Sequence, residues 1–163
     1  SVVAQVKNLD VASDRGQRSF AVGIESPDAK ILLEGFEFNK NAPLSSILKQ
    51  EYAIDTEVGS VSIPQFYPKE HLMIPEYATH VRFSFACAVI DAVTLTSKVK
   101  FAEQQMISVD AEMADVELTL DALPDLEGVK MFYILLEYFQ DINGKLYPLK
   151  SGAYNALRLV RVV

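Results

Sequence analysis

The run from Val129 to Phe139 is apolar on both faces of an extended chain. Phe132, Ile134, Leu136 and Tyr138 point one way, and Met131, Tyr133, Leu135 and Phe139 point the other. Side chains alternate along a strand, so a strand lying between one core and water needs only one apolar face. This one has to be covered twice. Lys130 and Glu137 interrupt it, and it is about half the length a helix needs to cross a bilayer, so it is read as a buried strand and not as a membrane span.

An earlier stretch has a related pattern. Val81, Phe83, Phe85, Cys87 and Val89 share one face, and Arg82, Ser84, Ala86 and Ala88 share the other. Ser84, Ala86 and Ala88 are small enough for another element to approach closely. Together with Met131, Tyr133 and Leu135 they form a candidate interaction surface. Two covers are considered for it: the N-terminal helical segment, through Val6, Leu9, Ile31 and Leu32, or a neighbouring subunit in a homo-oligomer or with another protein.

The hydrophobic period changes near residue 36. Val2, Val3, Val6 and Leu9 recur at helical spacing, and Ser13-Asp14-Arg15-Gly16 breaks the pattern. Ser26-Pro27-Asp28 is a second helix start, with Ser26 as cap, Pro27 in the first turn and Asp28 at the positive dipole end; Gly35 is its stop. From Phe36 onward the period is two. Tyr52, Ile54, Val61 and Ile63 flank a turn at Thr56 to Gly59, and Pro64, Pro68 and Pro75 bound a connection expected to run along an edge. Alternation recurs at Val93 to Phe101, Met106 to Val109 and Val116 to Leu120. The clearest hairpin pairs Val129–Gln140 with Lys145–Leu149 around Asn143-Gly144, and Arg158 to Val163 closes the sheet.

Seven to nine short strands without long intervening helices predict a mainly β, antiparallel sandwich of immunoglobulin-like or fibronectin-like type. One or two short helices precede it. Residues 1–35 form the helical segment and 36–163 the sandwich, within a length of 163 residues that suits one compact domain.

Composition narrows the partners. Twenty-two acidic against fifteen basic residues leave a net charge of −7, which repels a phosphate backbone, so no nucleic acid is expected to bind this chain. Half the residues are hydrophobic, which excludes disorder. The single cysteine, Cys87, makes no internal disulfide, and no signal-peptide pattern opens the chain. Neither fact fixes a compartment.

Candidate chemistry is sparse. Ser46-Ile47-Leu48-Lys49 matches the Ser-x-x-Lys pattern of penicillin-recognising enzymes, but the Ser/Tyr-x-Asn and Lys-Thr-Gly elements that those enzymes need are missing. His71 and His80, even with Glu70, fall short of the three protein ligands of catalytic zinc, and no cofactor is expected. Cys87 reads as core filler. Asp110, Glu112, Asp115 and Glu117 read as a solvated turn, without the ligand order of a calcium loop. Arg15 and Arg18 beside Gly16 read as surface arginines paired with nearby acids, with anion binding as the alternative. Acids such as Glu70 or Asp115 could pair in space and support an enzyme, the third-ranked reading. A glycan site would use aromatic platforms, and with no tryptophan the candidates are Tyr67, Tyr77 and Tyr154.

Leu33-Glu34-Gly35-Phe36-Glu37-Phe38-Asn39, Ala42-Pro43-Leu44, Tyr77-Ala78-Thr79-His80 and above all Asn143 to Leu157 carry a resemblance. Over essentially its whole length the chain resembles an uncharacterised group of Bacteroidetes proteins. Members of that group are longer, with a glycine- and lysine-rich segment ahead of the region that starts here. The resemblance implies that this chain is a C-terminal portion and that its charge understates the basic character of the whole. It implies no activity and no catalytic residue. The expected function is therefore non-enzymatic: a structural or binding module that presents a surface and self-associates, with a glycan- or small-ligand-binding module as the alternative.

Overall fold

The computed structural model describes all 163 residues. Five short helices occur: α1 (Val2–Asn8), α2 (Phe20–Gly23), α3 (Pro27–Leu33), α4 (Leu44–Ile47) and α5 (Pro68–His71). The nine strands are β1 (Ala53–Asp55), β2 (Ser60–Phe66), β3 (His80–Asp91), β4 (Thr96–Phe101), β5 (Gln105–Ser108), β6 (Ala114–Thr119), β7 (Val129–Ile142), β8 (Lys145–Pro148) and β9 (Ala156–Val162). All strand pairings are antiparallel. The fold is mainly β, as the two-residue rhythm predicts.

The smaller sheet runs β1-β2-β6 and the larger β4-β3-β7-β8, with β5 joining the free edge of β3 ahead of β4 and β9 joining β7 ahead of β8. At the centre, β3 and β7 pair continuously from His80↔Phe139 to Ile90↔Val129. That register puts Val81, Phe83, Phe85, Cys87 and Val89 on the same face as Phe132, Ile134, Leu136 and Tyr138. These residues meet Val61, Ile63 and Phe66 of β2, Val116 and Leu118 of β6, and Leu44 and Ile47 of α4 in one core. Phe66 and Phe83 pack edge to face with ring centroids 5.5 Å apart, and Phe85 stacks on Phe132. Each such side chain, fully buried, contributes about 1.5–3 kcal/mol.

Turn chemistry fixes the register at both ends of this frame. Asn143 (φ 54°) and Gly144 (φ 83°) form the two-residue turn between Ile142 and Lys145, and Asp141 Oδ1 accepts the Gly144 N–H at 2.8 Å. Pro64, expected to bound an irregular connection along an edge, lies inside β2 instead. The register shifts between Ile63 and Phe66, Gln65 takes φ 52°, and its N–H is satisfied by Asp115 Oδ1 at 2.9 Å. A bulge thus carries the proline past a ladder in which it cannot donate.

The second face of the β3–β7 pair is partly covered by the N-terminal segment. Val6, Ile24, Ala29 and Leu33 are buried with Val129, Met131, Leu159 and Val162. The segment holds three helices rather than one or two. Its contact residues also differ in part from those expected: Ile31 is 76% exposed and Leu32 40%, while Ala29 and Leu33 face inward. Helix α3 starts as predicted, with Ser26 Oγ accepting the Asp28 N–H. Its phase, however, is set by the Ala29/Leu33 spacing of four residues and not by the adjacent Ile31-Leu32 pair, which cannot share a face.

Asp10 holds this segment together. It is the buried charged residue of the fold, and its carboxylate accepts from the N–H groups of Ala12 (3.1 Å), Ser13 (3.0 Å) and Ser19 (2.9 Å). Burial pushes its pKa up, but these bonds outweigh that push and leave it below the usual carboxylate value. Helices α1 and α2 cross at Gly23, where a Cβ would lie 2.0 Å from the Val6 carbonyl oxygen. Beyond α3, Gly35 N donates to Leu159 O, Leu159 N to Phe36 O and Phe38 N to Leu157 O, which pins the exit of the segment to the free edge of β9.

The Asp10→Ala variant strands three N–H groups and should abolish hydrogen-exchange protection around Val6 and Ile24 while leaving the β3–β7 amides protected. A depressed pKa confers stability that is present above the usual value and disappears as pH falls through the folded value. The wild-type segment should therefore loosen first on acidification below about pH 4, close to the usual carboxylate value. Equal protection at Val6 in the variant and wild type would contradict this role of Asp10.

Candidate functional site

The N-terminal helices cover only one end of the outer face. Ordering that face by register gives three rows. Val99, Ala88, Met131 and Val162 lie side by side, then Phe101, Ala86, Tyr133 and Leu159, then Ser84, Leu135 and Leu157. Met131, Leu159 and Val162 are buried beneath the helices, whereas Phe101 is 75% exposed and Val99 49%. Between them is a groove of about 390 Å³. Ser84, Ala86 and Ala88 form its floor, Val99 and Phe101 one wall, and Tyr133, Leu135 and Leu157 the other.

The groove is apolar because its polar groups are occupied. Gln104 Nε2 donates to Ser84 Oγ at 3.0 Å, and Tyr133 O–H reaches Met131 Sδ at 3.7 Å. Burial pushes the Tyr133 hydroxyl pKa up. The Arg82–Glu137 pair, 2.8 Å apart, lies one row beyond Ser84 and Leu135, and the guanidinium also sits over the Phe139 ring at 4.6 Å. On β4 the two lysines turn away from the groove: Lys98 Nζ donates to Asp125 O at 2.9 Å and Lys100 lies 3.6 Å from Asp121. All six residues of the candidate interaction surface, Met131, Tyr133, Leu135, Ser84, Ala86 and Ala88, thus lie on one face. Met131 is under the helical cover and the other five line the groove.

Of the tyrosines, the fold brings Tyr77 and Tyr154 into a second cleft of about 560 Å³ and places Tyr67 elsewhere. Tyr67 precedes α5, and its ring packs edge-on against His71, whose Nδ1 accepts the Tyr67 N–H at 3.1 Å. Tyr77 is 69% exposed and has φ 70°, a left-handed conformation that costs a non-glycine residue about 1 kcal/mol or more. Gln140, two residues beyond the buried Tyr138 on the same face of β7, lines the same cleft.

Some of the remaining candidates have local structural partners and others do not. His80 Nδ1 lies 2.9 Å from Thr79 Oγ1, and Asp110 pairs with Lys69 at 3.5 Å. Asp115 braces the β2 bulge. Ser46 and Lys49 share no hydrogen bond; Lys49 N donates to His71 O. The local ion pairs expected for Arg15 and Arg18 do not form: Arg18 donates to Asn8 O at the C-terminal end of α1, and its Nε is buried without a partner.

Glu37 braces the frame in a way that the sequence did not mark. Its Oε2 accepts the Leu44 N–H at 3.1 Å, supplying α4 with an N-terminal acceptor, while Arg158 Nε lies 3.4 Å from Oε1. Burial pushes its carboxyl pKa above the usual value, against the pull of Leu44 and Arg158. The pairing of Glu37 with a residue so far along the chain leaves no local sequence signal.

No family model, no curated protein and no solved structure matches this chain. The geometry of the groove and the cleft is therefore the whole basis for a functional reading.

Cys87 tests the core beneath the groove. It is fully buried, and burial pushes its thiol up to about 11 from an ordinary value of 9.0, against a weaker pull from Lys130. A raised pKa leaves stability intact below the ordinary value and removes it as pH rises from about 9 towards 11. Urea midpoints at neutral and alkaline pH should therefore fall more steeply for wild type than for Cys87→Ala. Parallel pH profiles would contradict the burial.

Proposed function

We propose that the chain is a non-enzymatic structural or binding module that works by presenting the outer face of its larger sheet, and that a second copy of the chain is what the groove receives. The observation that carries this reading is a floor of three small residues left open beside a protruding, mostly exposed phenylalanine on the same face. A two-fold contact between identical patches lets Phe101 of each copy fill the Ala86/Ala88 groove of the other. The exposed Phe38 ring, 6.1 Å from Tyr133, extends the apolar rim. No charged side chain lines the groove, so the net charge of −7 is kept outside the contact.

We propose that the frame is immunoglobulin-like or fibronectin-like, with β1, β2 and β6 in the places of strands A, B and E, β3, β7 and β8 in those of C, F and G, β4 beside C, and β9 sharing the β7 edge with β8. Such a frame carries many unrelated functions, so the role rests on the groove and not on the fold. We also propose that the resemblance to uncharacterised Bacteroidetes proteins reflects kinship, which adds no activity.

Size-exclusion chromatography with light scattering, from micromolar to near-millimolar protein, should show a doubled mass. Ala86→Arg and Phe101→Asp should each weaken self-association by at least about tenfold, because they put an unpaired charge into a desolvated contact. Their thermal midpoints should stay near wild type, since both side chains face outward. A strict monomer at every concentration overturns the reading, as does a dimer indifferent to both substitutions.

A further inference from the structure

We propose that the cleft between Tyr77 and Tyr154 is a binding site for a neutral saccharide. It is separate from the groove and does not depend on self-association.

Three observations carry this. The first is composition. The cleft sets two partly exposed tyrosine rings among Glu76, Gln140, Lys150 and Ser151. Aromatic faces accept the C–H faces of a pyranose, while sugar hydroxyls both donate and accept hydrogen bonds. Gln140 offers an amide with both capacities, Glu76 accepts, Lys150 donates, and Ser151 and the two phenols do either. One acid beside one base leaves the site close to neutral, which favours neither a phosphate nor an ammonium group. Its volume of about 560 Å³ lies within the ordinary range of ligand sites, about 300–1,000 Å³.

The second observation is unused bonding capacity. The side chains of Glu76, Tyr77, Gln140, Lys150 and Tyr154 make no hydrogen bond or ion pair with the rest of the protein, whereas Thr79 Oγ1 and Asn155 Oδ1 beside them are engaged with β7. Ser151 Oγ accepts the Ala153 N–H at 3.2 Å and keeps its own proton to donate.

The third is rigidity. Both walls are tied to one short stretch of β7, one through Phe139 and Asp141 and the other through Tyr138. On one side Thr79 N donates to Phe139 O at 2.8 Å, and Thr79 Oγ1 accepts the Asp141 N–H at 2.7 Å. On the other, Asn155 Oδ1 accepts the Tyr138 N–H at 3.1 Å, and Leu149 N donates to Tyr138 O at 3.2 Å. Asn39 Nδ2 then holds the backbone carbonyls of Ala153 and Asn155 at 3.2 and 2.8 Å. The backbone on both sides of the cleft is therefore tied to one strand before a ligand arrives, which lowers the entropy cost of binding. Tyr77 keeps its left-handed backbone at a position where glycine would sit without strain.

The test is a glycan array of neutral mono- to tetrasaccharides, followed by titration of the retained sugar into isotopically labelled full-length protein. Saturable amide shifts should appear at residues 76–77, 140 and 150–154. Tyr154→Ala should weaken binding by about tenfold, and Tyr154→Phe should keep it within about threefold. Tyr77→Gly removes the ring and relieves the backbone, so it should also weaken binding by about tenfold while the thermal midpoint holds or rises. A merely structural tyrosine would give the opposite midpoint shift. Retention of no neutral glycan overturns the proposal. So does a titration in which inorganic phosphate shifts these amides and sugars do not, or undiminished sugar binding by Tyr77→Gly.

Discussion

The antiparallel ladder between β3 and β7 is the constraint on which everything else depends. Its register runs unbroken from His80↔Phe139 to Ile90↔Val129, and it fixes two apolar faces at once. A slip of β7 by one residue would turn Phe132, Ile134 and Leu136 out of the core and bring Glu137 into it. Thr79, whose N–H donates to Phe139 O and whose Oγ1 accepts the Asp141 N–H, holds one end of β7 against that slip. At the other end Gly128 (φ 153°) lies so close to β3 that a Cβ would sit 2.0 Å from the Ile90 carbonyl oxygen.

Two apolar faces require two covers, and the covers are unequal. The inner face is matched by a whole sheet and α4, and its large side chains are almost completely withdrawn from water. The outer face is met by three short helices whose chain must leave along the β9 edge, where Gly35 to Phe38 bond to Leu157 and Leu159. Strands lie about 4.8 Å apart. From β9, β3 is two strands away and β4 three, so the helices would have to bridge roughly 10–14 Å beyond their anchor to shield Ala86 and Phe101. None is placed to do so, and the groove is the part of the outer face that topology leaves open.

Much of the frame was legible because it depends on local rules. Alternation marked β3 and β7, Asn143-Gly144 marked the hairpin, and Ser26-Pro27-Asp28 marked α3. The doubly apolar strand also forecast a second cover. What was not legible involves phase or distance. Ile31 and Leu32 look like a contact pair, yet the smaller Ala29 with Leu33 takes that place because α3 can bury only one stripe. Helix α2 is a single turn capped by Ser19, too short to show a period. Arg18 was expected to find an acid nearby, but Asp10, the neighbouring carboxylate, is spent on backbone N–H groups. The tyrosines were named one by one, and only the fold shows that Tyr77 and Tyr154 share a cleft while Tyr67 serves a turn.

The groove and the cleft differ in how firmly they are built, and the difference follows from where each lies along β7. The groove borders β4, an edge strand paired on one side only, whose outward side chains from Val99 to Phe101 have no layer above them. Its wall can adapt to an apolar partner, as suits a contact driven by area and shape. The cleft lies where β7 emerges from the core, and both of its loops are bonded to residues 138–141, just past the buried Tyr138, whose hydroxyl donates to Met73 O. Burial also pushes that hydroxyl's pKa up, so the bond keeps its proton across the ordinary pH range. A site meant to hold two rings at a set distance gains most from such anchoring, because hydrogen-bond and stacking geometry tolerate little displacement. One strand therefore supports both surfaces: an adaptable apolar face along its middle and a fixed polar and aromatic cleft at its end.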